Sequence, residues 1–161
     1  MLHLMKELHG SATGVTAAPL DECVRFFLAV DRYPTWHPDV VRSVDVLERD
    51  GDGQPTQARA TLHVAVGPLV KDFNLILAVT FEGGRTVTLA RMPHGPGDQE
   101  RFGVAWHLDE GGGTARERTS IRLQLDANLS VPRLVPVGGI GDSMASGFVS
   151  AATRALSSPG A

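Results

Sequence analysis

Lys71-Asp72-Phe73-Asn74-Leu75-Ile76-Leu77-Ala78-Val79-Thr80-Phe81 decides the fold class of this chain. Phe73, Leu75, Leu77, Val79 and Phe81 occupy every second position, and Asp72, Asn74 and Thr80 stand between them. Successive side chains of an extended chain point to opposite sides, so the run reads as a β-strand with one greasy and one wetter face. The preceding stretch behaves alike: Ala58, Ala60, Leu62, Val64 and Val66 alternate with Gln57, Arg59, Thr61 and His63. Downstream, Phe102, Val104, Trp106 and Leu108 form a third such set, and Ile121, Leu123 and Leu125 a fourth, opposed by Arg116, Arg118, Arg122 and Gln124. The breaks carry turn chemistry: Asp50-Gly-Asp-Gly, Gly67-Pro68, Glu82-Gly-Gly, Gly95-Pro-Gly-Asp and Glu110-Gly-Gly-Gly. Such residues tolerate positive φ or preset it near −65°, and strands joined by short turns pair as consecutive antiparallel hairpins. Strands are expected at about residues 8–17, 41–50, 56–67, 71–82, 85–92, 100–109 and 114–126.

Helical patterns bracket the strands. Pro19 followed by Leu20-Asp21-Glu22 reads as a helix first turn, with acids at the positive end of the dipole, and this helix should run to Phe27 or Leu28. After Pro132, Val137, Ile140, Met144, Phe148, Ala152 and Ala155 recur at three-to-four-residue spacing, the stripe of an amphipathic helix. Pro136 and Gly138, Gly139 and Gly141 should loosen its start, so its regular part is expected from about Asp142. A seven-stranded sheet with a single apolar face must be covered, and this helix is the one long element available. A large twisted sheet curls, and a helix rich in Gly, Ala and Met fills its concave side incompletely. A dry apolar cavity is therefore expected between the two.

With 161 residues, the chain is one domain's worth of sequence, spanning residues 1–161. Hydrophobic residues make up 42% and charged ones 20%, which disfavours disorder and coiled coil. A net charge of −3 offers no basic field for a phosphate backbone, so nucleic acid is not an expected partner. Cys23 is the single cysteine, which rules out an intramolecular disulfide and any cysteine-based metal cluster. No run approaches the ~20 apolar residues of a spanning helix, and Lys6 and Glu7 interrupt the apolar N-terminus, so no integral membrane segment and no secretory signal are expected. These features read as a cytoplasmic protein. No metal site or cofactor is expected, since His and carboxylates gather in no ligand motif and the glycine clusters match no nucleotide loop.

Asp31-Arg-Tyr33-Pro34-Thr-Trp36 ends the first helix and enters a short second one before the strand Val44-Asp-Val-Leu-Glu. Together with the six-strand run and the C-terminal helix, from about Ser11 to Leu156, this pattern resembles the START-like, Bet v 1-like superfamily. Within it the chain looks most like the polyketide cyclase/dehydrase and lipid-transport family. The resemblance implies an α+β helix-grip fold: a curved seven-stranded antiparallel sheet wrapped around a long C-terminal helix, with two short helices between strands 1 and 2. It also implies that a hydrophobic small molecule, such as a lipid, isoprenoid or polyketide, binds inside the grip. The inward side chains expected to line that site are Trp36, Leu62, Val64, Phe73, Leu75, Leu77, Leu89, Phe102, Val104, Trp106, Met144 and Phe148. The oligomeric state is left open.

A second reading makes the protein a cyclase/dehydrase-type enzyme, and four ionisable residues are its candidates. Arg91 follows Val87 and Leu89 in phase and Glu100 precedes Phe102 and Val104, so both should face inward as neighbours across one hairpin. They form either a polar anchor at the cavity mouth or an ion pair on the sheet's rim. Glu117, in phase with Thr119 and Ile121, is either a carboxyl of raised pKa able to exchange a proton with an enolisable carbonyl or a solvated strand end. His37, with Asp39 across Pro38, is either a base with its orienting carboxylate or part of a rigid turn.

Overall fold

The run from Lys71 to Phe81 forms the body of β4 (Leu69–Glu82) in the computed structural model, which describes residues 3–66, 69–111 and 118–157. The other strands are β1 (His3–Thr16), β2 (Val41–Arg49), β3 (Pro55–Val66), β5 (Thr86–Arg91), β6 (Arg101–Glu110) and β7 (Thr119–Pro132). They make one antiparallel sheet in the order β1-β7-β6-β5-β4-β3-β2. Strands β2 to β7 therefore follow one another as hairpins, and β1 closes the sheet by pairing beside β7. Between β1 and β2 lie α1 (Leu20–Leu28), a single 3-10 turn (Val30–Arg32) and the short α2 (Tyr33–Trp36); α3 (Ile140–Ser157) follows β7.

The alternation sorts side chains as expected over most of its length. Phe73, Leu75, Leu77 and Val79 of β4 are buried, as are Ala58, Ala60, Leu62 and Val64 of β3 and Phe102, Val104, Trp106 and Leu108 of β6. Phe81 departs from the pattern at 42% exposure, because β4 there runs into the Gly83-Gly84 turn beyond the cover of the helices. Strand β7 also runs past the expected end at about residue 126. Asn128, Ser130 and Pro132 read as breakers in isolation, but each has a backbone partner on β1, from Glu7↔Asn128 to His3↔Pro132. Pro132 is the terminal residue of its strand, where the missing N–H costs least. The expected start of that strand, residues 114–117, lies outside the described residues, and β7 begins at Thr119.

Helix α1 starts at Pro19 with Asp21 and Glu22 in its first turn and buries Cys23, Phe27 and Leu28 against the sheet. Phe27 stacks on Trp106 with ring centroids 4.1 Å apart, so α1 is fastened over β6 by two aromatic rings. Helix α3 begins slightly before the expected Asp142 and buries Ile140, Met144, Ala145, Phe148, Val149 and Ala152. Its close backbone approaches are to β1, β7 and α2. The tightest is a crossing of two glycines: a Cβ built on Gly10 would lie 2.0 Å from the Gly141 carbonyl oxygen. Gly14, two strand repeats further on the same face, gives room to Val149 and Thr153 in the same way. The Ser11 N–H donates to the Asp142 carboxylate at 3.1 Å, adding a polar tether at the same crossing. Helix α3 is thus pinned along one edge of the sheet, and from there its larger side chains reach across the concave face.

Candidate functional site

An inner hollow lies between sheet and helices, and pockets open around it, one of them walled by the helices alone. The hollow lies under α2 and α3, walled by Val30 and Tyr33 on one side and by Leu62, Leu77, Val104 and Phe148 on others. Leu89 and Phe102 complete its floor from β5 and β6. The one hydroxyl in this wall, that of Tyr33, donates to the Phe27 carbonyl at 2.8 Å. Burial pushes the Tyr33 phenol well above its ordinary pKa, so it stays a neutral donor. The hollow measures only about 30 Å³. That admits about one or two waters and is far below the roughly 300–1,000 Å³ of a small-molecule site. The expectation of a roomy vacancy is corrected in size: Phe148 and Met144 of α3, together with Phe73 and Leu75 of β4, fill the volume that the small residues of α3 leave free.

The residues expected to line the site are therefore distributed. Leu62, Leu77, Leu89, Phe102, Val104 and Phe148 face the hollow. Phe73, Leu75 and Trp106 are buried in the surrounding core. Val64 and Met144 border a pocket of about 320 Å³ on one flank of α3, shared with His37, Asp39, Arg42, His63 and Ser143. Trp36 borders a pocket of about 690 Å³ between α1, α2 and the C-terminal half of α3. Phe26, Ala29 and Leu156 contribute apolar surface to it, and Glu22, Arg25, Arg32 and Arg154 its charges.

Trp36 stands between this pocket and the hollow. Its ring lies 5.0 Å from that of Phe26, which faces the outer pocket, and 4.8 Å from that of Tyr33, which faces the hollow. The indole N–H is buried without a hydrogen-bond partner. Tyr33-Pro34-Thr35-Trp36 is a single helical turn with proline near its start, which holds the indole in this position at the end of α2.

His37 is buried between the Trp36 ring, parallel at 6.1 Å, and the Phe148 ring at 4.7 Å. Its Nε2 has no hydrogen-bond partner. Gly147 of α3 lies beside the imidazole, where a Cβ would make an ordinary contact at 3.9 Å. Burial pushes the His37 pKa down; the Asp39 charge opposes this and the Arg154 charge adds to it. No hydrogen bond joins His37 to Asp39 among the described residues, so the expected base and orienter are neighbours without being coupled.

Arg91 and Glu100 are close, but not as the expected ion pair. The Arg91 guanidinium donates to the Glu100 backbone carbonyl at 2.8 Å and pairs with Asp98 at 2.8 Å. The Asp98 carboxylate also accepts from the His94 and Glu100 N–H groups. Held first by Arg91 and then by these amides, its pKa falls to about 2. Sequence alone does not single out this partner, because Asp98 ends the Gly95-Pro96-Gly97-Asp98 turn and a turn aspartate reads as local chemistry. Arg91 thus latches the β5–β6 loop. Glu117 lies outside the described residues. No group of three or more His, Cys, Asp and Glu able to hold a metal occurs among the described residues. Nor is any described helix long and apolar enough to cross a membrane.

Comparison with known proteins bears on the same chain. The family model described as "Polyketide cyclase / dehydrase and lipid transport" matches residues 16–152. Among solved structures, a START superfamily protein from Mycobacterium smegmatis is similar with a TM-score of 0.68 at 20% identity, over 92% of this chain and 96% of that one. A protein from Thermus thermophilus superposes with a TM-score of 0.66 at 16% identity, covering 92% and 97%. The di-domain ARO/CYC StfQ from the steffimycin biosynthetic pathway reaches 0.56 at 15% identity, over 92% of this chain and 50% of that one. At these identities the likeness is one of fold. No curated protein matches the chain.

Proposed function

The chain belongs to the polyketide cyclase / dehydrase and lipid transport family, with a START-like helix-grip fold, and from that premise we propose that it binds a hydrophobic small molecule between the sheet and α3. The observation that carries this reading is the hollow under α2 and α3: its wall is built from aliphatic and aromatic side chains, and its one hydroxyl is already satisfied. Such a wall gains by contact with apolar surface and offers a polar reactant nothing to hold. At about 30 Å³ the hollow is the closed form of the site, so a guest enters by displacing side chains, with the α3 backbone held against β1 at Gly10–Gly141 and at Gly14. Met144 and Phe148, unbranched at Cβ and reaching inward from a helix of small residues, are the groups able to swing aside.

The cyclase/dehydrase alternative needs its ionisable residues on one pocket. Instead Arg91 and Glu100 are engaged with the β5–β6 loop, and His37 borders a different pocket from the hollow. Binding, possession and release of an apolar guest is thus the better-supported function. A cytoplasmic setting belongs to the same proposal, with the buried free thiol of Cys23 suited to a reducing compartment.

The test is native mass spectrometry of the purified chain for a co-purified apolar molecule, together with titration by the neutral dye Nile red. Saturable uptake is expected, lost in Val104→Glu, which sets a charge in the wall, and weakened in Ala60→Leu, which fills it. Circular dichroism establishes that each variant is folded. Uptake by folded Val104→Glu equal to that of the unaltered chain would refute the site.

A further inference from the structure

We propose that the 690 Å³ pocket between α1, α2 and the end of α3 is the mouth of the site and binds the anionic head of a single-chain amphiphile, whose tail passes Trp36 into the grip. The site presupposes an apolar guest between sheet and helix; what it adds is the chemical class of that guest and the door it uses.

Three features of the pocket point the same way. First, its volume lies within the range of small-molecule sites, whereas the hollow behind it does not. Second, its charges are sorted. The chain as a whole carries −3, yet the pocket wall holds Arg25 and Arg32 against the one carboxylate of Glu22, with Arg154, which is engaged in an interaction of its own, beside them. The Asp21 carboxylate lies 3.5 Å from Arg25, an exposed i,i+4 pair that a better-placed anion can replace. Guanidinium groups present planar forks of donors that fit carboxylate and phosphate oxygens two at a time. Third, the pocket floor is apolar and leads inward. The Phe26 and Trp36 rings meet at 5.0 Å, tilted by 30°, on the outer side, and Trp36 continues to Tyr33, which walls the hollow. Cationic rim, apolar floor and an aromatic partition in front of an apolar hollow match a molecule with a charged head and a greasy tail.

The place of Trp36 supports a moving partition. Its half-buried ring borders the outer pocket, and its indole N–H is buried with no acceptor, as is that of the core residue Trp106. A ring that swings outward as the tail enters meets water or the head group's oxygens. The α2 turn that carries it is closed by the His37 N–H donating to the Tyr33 carbonyl at 2.9 Å, so the motion is a swing of the indole side chain rather than an opening of the turn.

The experiment displaces Nile red from the full-length chain with dodecanoate and, separately, with dodecanol, which shares the tail and lacks the charge. Dodecanoate is expected to bind about tenfold more tightly, a difference of about 1.4 kcal/mol, and to lose that advantage as salt is raised from 0.02 M to 0.5 M. The double variant Arg25→Gln/Arg32→Gln, both side chains on the surface, is expected to bind dodecanol as before and dodecanoate no better than dodecanol. Equal affinity of the unaltered chain for the two probes, or a preference that survives in the double variant, would overturn the proposal while leaving an apolar binder intact. Failure of both probes to displace a dye that does bind would overturn the single-chain guest and with it this proposal, whereas the absence of saturable dye uptake would overturn the binding function itself. A flotation assay with phosphatidylglycerol vesicles separates the remaining source of anionic heads: no co-flotation is expected, and arginine-dependent co-flotation without a dodecanoate preference would assign the rim to a lipid surface instead.

Discussion

Replacing Gly10 by alanine tests whether α3 is pinned to β1 as described. The new methyl carbon would lie 2.0 Å from the Gly141 carbonyl oxygen and 2.2 Å from its carbon, both backbone atoms. A methyl group needs roughly 3.3–3.5 Å to a carbonyl oxygen, so the helix must retreat from the strand by more than about 1 Å. No side chain can rotate away to absorb this, because the obstacle is the helix backbone. Forced overpacking costs about 1–3 kcal/mol, and a rigid backbone obstacle belongs at the upper end, about 3 kcal/mol. For a domain of this length, each kcal/mol lowers the melting temperature by about 2–4 °C, so a fall of about 6–12 °C is expected. Gly103→Ala is the matched control. It also lies in a strand, but its Cβ would sit 3.7 Å from the Leu89 carbonyl oxygen, an ordinary contact. There alanine restricts the unfolded chain without straining the folded one, and stability should be unchanged or rise by up to about 1 kcal/mol. Thermal and urea melts followed by circular dichroism measure both. Gly10→Ala within about 0.5 kcal/mol of the unaltered protein, or a loss in Gly103→Ala as large as that in Gly10→Ala, would refute the close crossing.

Asp98 should titrate near 2 by carbon-detected NMR and move toward an ordinary carboxylate value in Arg91→Gln; an unmoved titration would show that Arg91 is not its main partner. Because the Asp98 pKa is depressed on folding, its contribution to stability is present above about pH 4 and fades as pH falls toward 2. His37 works in the opposite sense to a paired histidine. Its folded pKa is lowered, so between that value and the unfolded value of about 6.5 the folded state binds fewer protons, and stability drops as pH falls through this window. His37→Phe should flatten the stability difference between pH 7.5 and 5.5, after allowance for His9, whose pKa is raised by Asp126 and Glu7 in both proteins; an unchanged slope would count against burial of the imidazole. Phe148→Leu should cost about 1 kcal/mol in urea melts while strengthening Nile red uptake, since it retracts a wall of the hollow; weaker uptake by the folded variant would contradict Phe148 as a movable plug.

Strand faces were legible because the β period is two, and one phase of Ala58–Val64, Phe73–Val79 and Phe102–Leu108 is apolar throughout. The first helix was legible from Pro19 and its acidic first turn. The last six residues of β7 were not, because their extended state is imposed by β1 pairing along His3–Leu8, a partner more than a hundred residues away in sequence. The Arg91 latch was half legible. Phase brought Arg91 and Glu100 together, but a side chain's choice between a carboxylate and a backbone carbonyl depends on loop geometry that alternation does not encode.

The size of the interior was the least legible quantity, and the reason is geometric. Alternation tells which side chains face inward but nothing of the gap they must span. That gap is set where α3 meets the sheet, and the meeting is governed by the small stripe Gly10-x-Ala12-x-Gly14 on β1 against Gly141 and Val149 of α3. These residues carry no hydrophobic signal, so a reading based on apolar period passes over them. Because they let helix and strand backbones touch, α3 sits low over one edge, and Met144 and Phe148 then reach far enough to close the concave face to about 30 Å³. The glycines of this crossing thus bring the helix near enough for its larger side chains to fill the grip. Any guest must work against Met144, Phe148 and Trp36, because the glycine crossing holds the rest of the helix in place.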